Sequence, residues 1–183
     1  MDREAKIVRG LDALGPLAGK TVLLVDSDGG AVRGGIDAVA ESVIAAPLTQ
    51  PLRFAVANAS VDVVVGLWSA FRGVDADELA EVDRVLRPGG RLLVVHDYGR
   101  DDVSRILGDR PEYGKWGRRS GPFLTGGFRV RVLHCWWDFE SMEAAAAFLG
   151  DAFGESGAAV AATLKRPRLS YNVAVYHRTR PAE

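Results

Sequence analysis

The chain has 183 residues, 48% hydrophobic and 26% charged, with a formal net charge of −1. That length buries a sizeable core and suits one domain. Net charge is near zero and neither half is strongly basic, so nothing argues for a nucleic-acid backbone partner, which would need a basic stripe. Apolar runs are short and interrupted, so no membrane-spanning helix is expected. The charged start MDREAKIVRG lacks the apolar segment of a signal peptide, and a cytoplasmic location is the default expectation. A single cysteine, Cys135, excludes an internal disulfide and a cysteine-rich zinc site. The three histidines are too scattered for a metal site.

In chain order, Ile7, Val8, Leu11 and Leu14 share one face and predict an opening helix over 2–14, stopped by Gly15-Pro16. The apolar run TVLLVD (21–26) suits a strand covered on both sides, as in a parallel sheet. The loop SDGGAVRGG follows, then a short helix near 36–41. SVIAA (42–46) reads as a second strand ended by Pro47, and 48–60 has no clear period. VDVVVGL (61–67) reads as a third strand. Asp75, with Glu78 three residues later, carries the capping-box signal for a helix over 76–86 that aligns Leu79, Val82 and Leu86. Pro88-Gly89-Gly90 is expected to end that helix in a turn, and RLLVVHD (91–97) to be a fourth strand.

The polar, glycine-rich stretch 100–127 is expected to hold a short helix and a long loop, and 128–136 alternates as a fifth strand. Within it, His134, Cys135, Trp136 and Trp137 read as a packing cluster with an inert thiol. Ser141 caps a helix that runs to Phe153 and ends at Gly154; a second helical piece covers 158–164, and a last strand 171–177. Strands alternating with helices predict an α/β fold with a mostly parallel sheet, closed by an antiparallel hairpin.

Two segments carry a family likeness. Val61-Asp62-Val63-Val64 leads through a loop and a helix to Leu86-Arg87-Pro88-Gly89-Gly90, which runs into Arg91-Leu92-Leu93-Val94. This arrangement resembles the second half of the class I S-adenosylmethionine-dependent methyltransferases (type 11-like), and 170–177 resembles their last strand. The resemblance covers roughly 21–177. It implies a Rossmann-like sheet with helices on both faces, an antiparallel last strand and S-adenosylmethionine as the cofactor of an active member. It also implies a glycine-rich turn after the first strand, of the form V-L-[DE]-x-G-x-G-x-G, and an acid at the end of the second strand for the ribose hydroxyls.

The chain departs from that pattern at several points. Leu24 stands where the acid of the turn motif belongs, and Asp26 and Asp28 stand where its first two glycines belong; only Gly30 keeps its family role. Asp26, Asp28, Gly29 and Gly30 therefore form a degenerate cofactor-binding set, in which two carboxylates would face the cofactor's own carboxylate. Plain turn residues, bonded to their own backbone, are the other reading of the two aspartates. The second strand ends Ala45-Ala46-Pro47 with no acid. About fourteen residues separate Ala46 from Val61, whereas a helix, a strand and their loops need roughly twenty or more. That helix and strand are expected to be missing, leaving about six strands with the second at an edge.

His96, Asp97 and Tyr98 fall at the carboxyl end of a central strand, where α/β sites form. His96 or Asp97 is the candidate catalytic base. Trp68, Phe71 and Tyr98 are candidate substrate contacts, Trp68 and Phe71 either stacking on a planar group or plugging the site. Two functions stay open. One is a methyltransferase-fold protein that has lost the cofactor and binds a small molecule or a protein, with a homodimer as one way to cover the exposed edge. The other is an active small-molecule methyltransferase with a divergent site.

Overall fold

The structure, a computed structural model, describes residues 5–25 and 30–182. Its strands are β1 (Thr21–Val25), β2 (Ser42–Ala46), β3 (Val61–Leu67), β4 (Leu86–Asp97), β5 (Arg129–Asp138) and β6 (Arg168–Thr179). They form one six-stranded sheet in the order β2-β1-β3-β4-β6-β5. β1 runs parallel to β2 and β3, and β3 to β4, while β6 is antiparallel to both β4 and β5. This is the expected Rossmann-like arrangement, with the closing antiparallel hairpin at one side.

Alternation along the central strands divides the interior into two layers. Val22, Leu24, Val63, Val65, Leu93 and Val95 face a layer that includes Ile7 and Leu11 of α1 (Lys6–Leu14) and Ile36 of α2 (Gly30–Asp37). Leu23, Val25, Val64, Leu92 and Val94 face a second layer, with Val82 and Val85 of α3 (Ala76–Val85). Both faces of β1, β3 and β4 are covered, which is why these strands read as continuous apolar runs.

The expected elements move in three places. The helix expected near 36–41 lies earlier, as α2; the part of the opening helix expected before Ala5 is outside the described residues. Of the glycines that made 30–35 look like loop, Gly35 serves packing: a Cβ on it would stand 2.6 Å from Val8 Cγ2, so glycine there lets α2 close on α1. Pro88-Gly89-Gly90 is not a free turn but part of β4, which begins directly after α3. Gly89 takes φ +77, the β3–β4 register shifts between Val61 and Val63, and a Cβ on Gly90 would stand 2.9 Å from the Asp62 carbonyl oxygen. Near the C-terminus the first helix ends at Gly154 as expected, with φ 59 and ψ −138, but the second helical piece follows it directly and stops at Ala161, earlier than expected; the two together are α6 (Met142–Ala161).

Residues 47–60 contain neither helix nor strand, so β2 is the outer strand on its side of the sheet. The segment 100–127 contributes α4 (Asp102–Leu107) and the short α5 (Pro122–Thr125). No helix among the described residues is long and apolar enough to cross a membrane.

Candidate functional site

From β1 the chain crosses through α2 to β2 on one side, and β3 crosses through α3 to β4 on the other. The connections thus diverge outside the carboxyl ends of β1 and β3, the place where open α/β sheets bind ligands. Gly30, Trp68, Asp97 and Tyr98 lie at this rim. Gly30 opens α2 with φ +76 and open space where a Cβ would sit. Asp26, Asp28 and Gly29 lie outside the described residues.

His96 and Asp97 are neighbours on β4 and therefore point to opposite faces of the sheet. Asp97 sits on the α1–α2 side. Its Oδ1 accepts from the Trp68 indole N–H at 2.7 Å and from the Tyr171 hydroxyl at 2.7 Å. The carboxyl ends of β3 and β4 and the start of β6 are thereby joined by one carboxylate. Burial and the Asp97 charge push the Tyr171 hydroxyl far above its ordinary range, so it stays a protonated donor. With both donors on Oδ1, a ligand hydroxyl or amine would address Oδ2.

His96 sits on the α3 side and is 1% exposed. Its ring meets Trp116 edge-on at 4.9 Å and Phe123 at 6.1 Å. Nε2 lies 3.0 Å from the Phe71 carbonyl oxygen, which can only accept, so this nitrogen carries the proton. Burial lowers the His96 pKa, against the opposing pull of the Phe71 carbonyl, and the ring is neutral near pH 7. Its geometry is that of a core residue fastening the 68–71 turn, where Trp68 and Phe71 take left-handed φ values of 51 and 55.

Of the aromatic candidates, Phe71 is buried at 3% and presses on β3: a Cβ on Gly66 would stand 2.7 Å from its Cδ2. Trp68 and Tyr98 are half-buried. The backbone of Tyr98 donates to Asn172 and accepts from Gly114, strapping the 98–114 segment across the end of β6. Next to it, the Tyr113 hydroxyl is buried without a hydrogen-bond partner among the described residues, and burial with the Asp97 charge pushes its pKa up to about 12.

At the end of β2 the last residue is Ala46, aligned with Val25 of β1 and followed by Pro47, so no carboxylate stands there. Residues 47–60 fold inward instead. Leu52 and Phe54 enter the α3-side core, and two residues of α3 hold the loop. The Glu81 carboxylate, 1% exposed, accepts from Arg84 Nη2 at 2.6 Å and Nε at 2.8 Å, Arg53 Nη1 at 2.7 Å and the Phe54 backbone N–H at 2.8 Å. Arg84 also donates to the carbonyls of Phe54 and Val56 and to Asn58 Oδ1. The hydrogen bonds from Arg84 hold the Glu81 carboxyl down at about 2, well below its ordinary range, despite burial.

Sequence reasoning missed this pair, because Glu and Arg three apart on a helix read as a solvated face. Asp62, the acid at the start of β3, is at the opposite end of the sheet from the rim and bonds the Thr21 backbone N–H at 2.9 Å and Arg87 at 2.7 Å. Among the described residues, no group of three or more His, Cys, Asp or Glu is placed to hold a metal ion.

No family model and no curated protein matches this sequence. Solved structures do match in fold. A protein from Anaeromyxobacter dehalogenans, provisionally assigned as a type II methyltransferase, aligns with a TM-score of 0.62 at 20% identity, covering 98% of this chain and 97% of its own. An S-adenosylmethionine-dependent methyltransferase from Aquifex aeolicus aligns at 0.54 with 16% identity, covering 96% and 93%. The geranyl diphosphate C-methyltransferase of Streptomyces coelicolor, solved with Mg2+, geranyl diphosphate and S-adenosylhomocysteine, aligns at 0.50 with 12% identity, covering 97% and 80%. The chain has the class I methyltransferase fold.

Proposed function

We propose that this chain is a methyltransferase-fold protein that has given up S-adenosylmethionine and acts by binding, with a small molecule at the Trp68–Asp97–Tyr171 rim or a protein as its partner. The observation that carries this reading is the rebuilt edge beyond β2. The fold's cofactor needs an acceptor for the ribose hydroxyls at the end of β2 and a frame for the adenine next to it. Ala46 and Pro47 offer no acceptor. The 47–60 loop is drawn into the core by Leu52 and Phe54 and bonded to Glu81 and Arg84, so a fixed element stands where an adenine frame would be built. Neither the end of β2 nor the 47–60 loop fits the nucleoside half of the cofactor. The burial of His96 and the commitment of its Nε2 proton to Phe71 favour the same reading, since they remove one of the two candidate bases from the rim.

A second reading, an active methyltransferase with a divergent site, is favoured by one observation: Asp97 remains at the carboxyl end of β4, oriented by two donors as a substrate-binding carboxylate would be. A thermal-shift series with S-adenosylmethionine and S-adenosylhomocysteine separates the two. A ligand present at about one hundred times its dissociation constant adds roughly 2.7 kcal/mol, a rise in Tm of about 5–10 °C for a domain of this size. The lost-cofactor reading expects no rise at millimolar ligand; a saturable rise at micromolar ligand would select the second.

A further inference from the structure

The absence of helix and strand from 47–60 has a second consequence, on the outer side of β2. Thr21 N–H turns toward β3, where it donates to Asp62 Oδ2 at 2.9 Å, so the parallel Thr21–Ser42 pairing is made by Ser42, whose N–H shares the Lys20 carbonyl with that of Glu41 (3.4 and 3.1 Å); Ser42, Ile44 and Ala46 thus turn their backbone groups toward β1. The N–H and C=O groups of Val43 and Ala45 then point away from the sheet, and no backbone or side-chain partner meets them among the described residues. We propose that this edge is the contact of a twofold homodimer, in which Ser42–Ala46 of two copies pair antiparallel about Ile44.

The register follows from the hydrogen-bonding groups. In an antiparallel ladder, residues that exchange bonds alternate with residues that do not. The outward groups belong to Val43 and Ala45, so Val43 of one copy exchanges both bonds with Ala45 of the other, and the reverse. Ile44 then falls on the twofold axis as a non-bonded pair with its own copy, the type whose side chains come closest. Ile44 is 37% exposed, one of four large apolar side chains that stand out among the described residues. It shares a face of β2 with Ala46, which the 47–60 loop covers while leaving Ile44 open. In this register Ser42 faces Ala46 and no charge opposes a like charge.

The two outer strands of the sheet are built differently. β5, on the other side, carries exposed arginines at Arg129 and Arg131, a usual way of keeping an edge from pairing. β2 has no charge, no proline and no bulge between Ser42 and Ala46. Its strand is self-complementary, as an isologous interface requires. A second copy of this chain fits it better than a partner bearing a charged strand. Five residues make a small contact, so self-association in roughly the micromolar range is expected. This proposal does not depend on the reading of the cofactor site.

Sedimentation equilibrium across a concentration series tests it. The wild-type protein is expected to show a monomer–dimer equilibrium. Ile44→Lys puts two ammonium groups face to face on the axis and should raise the dissociation constant at least about tenfold. Ala45→Pro removes an outward N–H that the monomer does not use, and should do the same. Circular dichroism melts of both variants at low concentration should match the wild type, and Met142→Lys, at another exposed apolar residue, should leave association unchanged. A wild-type protein that stays monomeric at the highest soluble concentration overturns the proposal. So does a dimer of undiminished strength in both β2 variants.

Discussion

Replacing Glu81 by glutamine isolates the contact that fastens the rebuilt edge. The carboxylate is shut from solvent and takes four donors, while its partners Arg53 and Arg84 are 72% and 30% exposed. Its pKa lies at about 2 in the fold against 4.5 ordinarily. A carboxyl lowered by that much contributes about 3 kcal/mol where it is ionised in both states. Because the folded value is the lower one, the contribution is complete above pH 4.5, falls as pH drops and is lost near pH 2 and below; at pH 3 about half remains. Urea unfolding of wild type and Glu81→Gln at pH 7 and pH 3 should therefore show a deficit of about 3 kcal/mol that halves in acid. Hydrogen exchange should rise first in residues 53–58, which Arg84 holds. A deficit under about 1 kcal/mol at pH 7, or one equal at both pH values, would refute the view that Glu81 anchors this loop as a buried carboxylate.

Three further substitutions probe the rim and its supports. Gly66→Ala places a Cβ 2.7 Å from the Phe71 ring and should cost about 1–3 kcal/mol in urea unfolding as the 68–71 turn shifts. Asp75→Ala removes the cap that accepts from the Asp77 and Glu78 backbone N–H groups and should cost about 1 kcal/mol. Tyr113→Phe deletes a buried hydroxyl that has no partner among the described residues, so stability should stay level or rise slightly. A loss above about 1 kcal/mol there would mean that the hydroxyl is satisfied in solution.

The sheet was legible because its strands are the simplest signals in the chain. β1, β3 and β4 are apolar on both faces, and only a covered parallel strand needs that. The missing helix and strand were legible from distance alone, since the chain between Ala46 and Val61 is too short to hold them. The contents of that gap were not. Leu52 and Phe54 have no period to betray them, and a buried glutamate on α3 looks like any helix-surface acid until its four donors are seen. The same holds for 100–127, whose Trp116 and Phe123 enclose His96 although the segment reads as polar loop. Gly35 and Gly90 misled for a related reason: each marks a close approach of backbone to a neighbour distant in sequence, not a turn. At the rim, adjacency in sequence made His96 and Asp97 alternative bases for one site, yet the strand's two-residue period sends them to opposite layers.

The most direct test of the account is a calorimetric titration of S-adenosylhomocysteine into the purified chain. Its central claim is that the end of β2 and the 47–60 loop no longer make a nucleoside site, and it predicts no binding heat up to millimolar ligand. A saturable isotherm of one ligand per chain in the micromolar range would contradict it, and would return Asp97 to the centre of a working methyltransferase site.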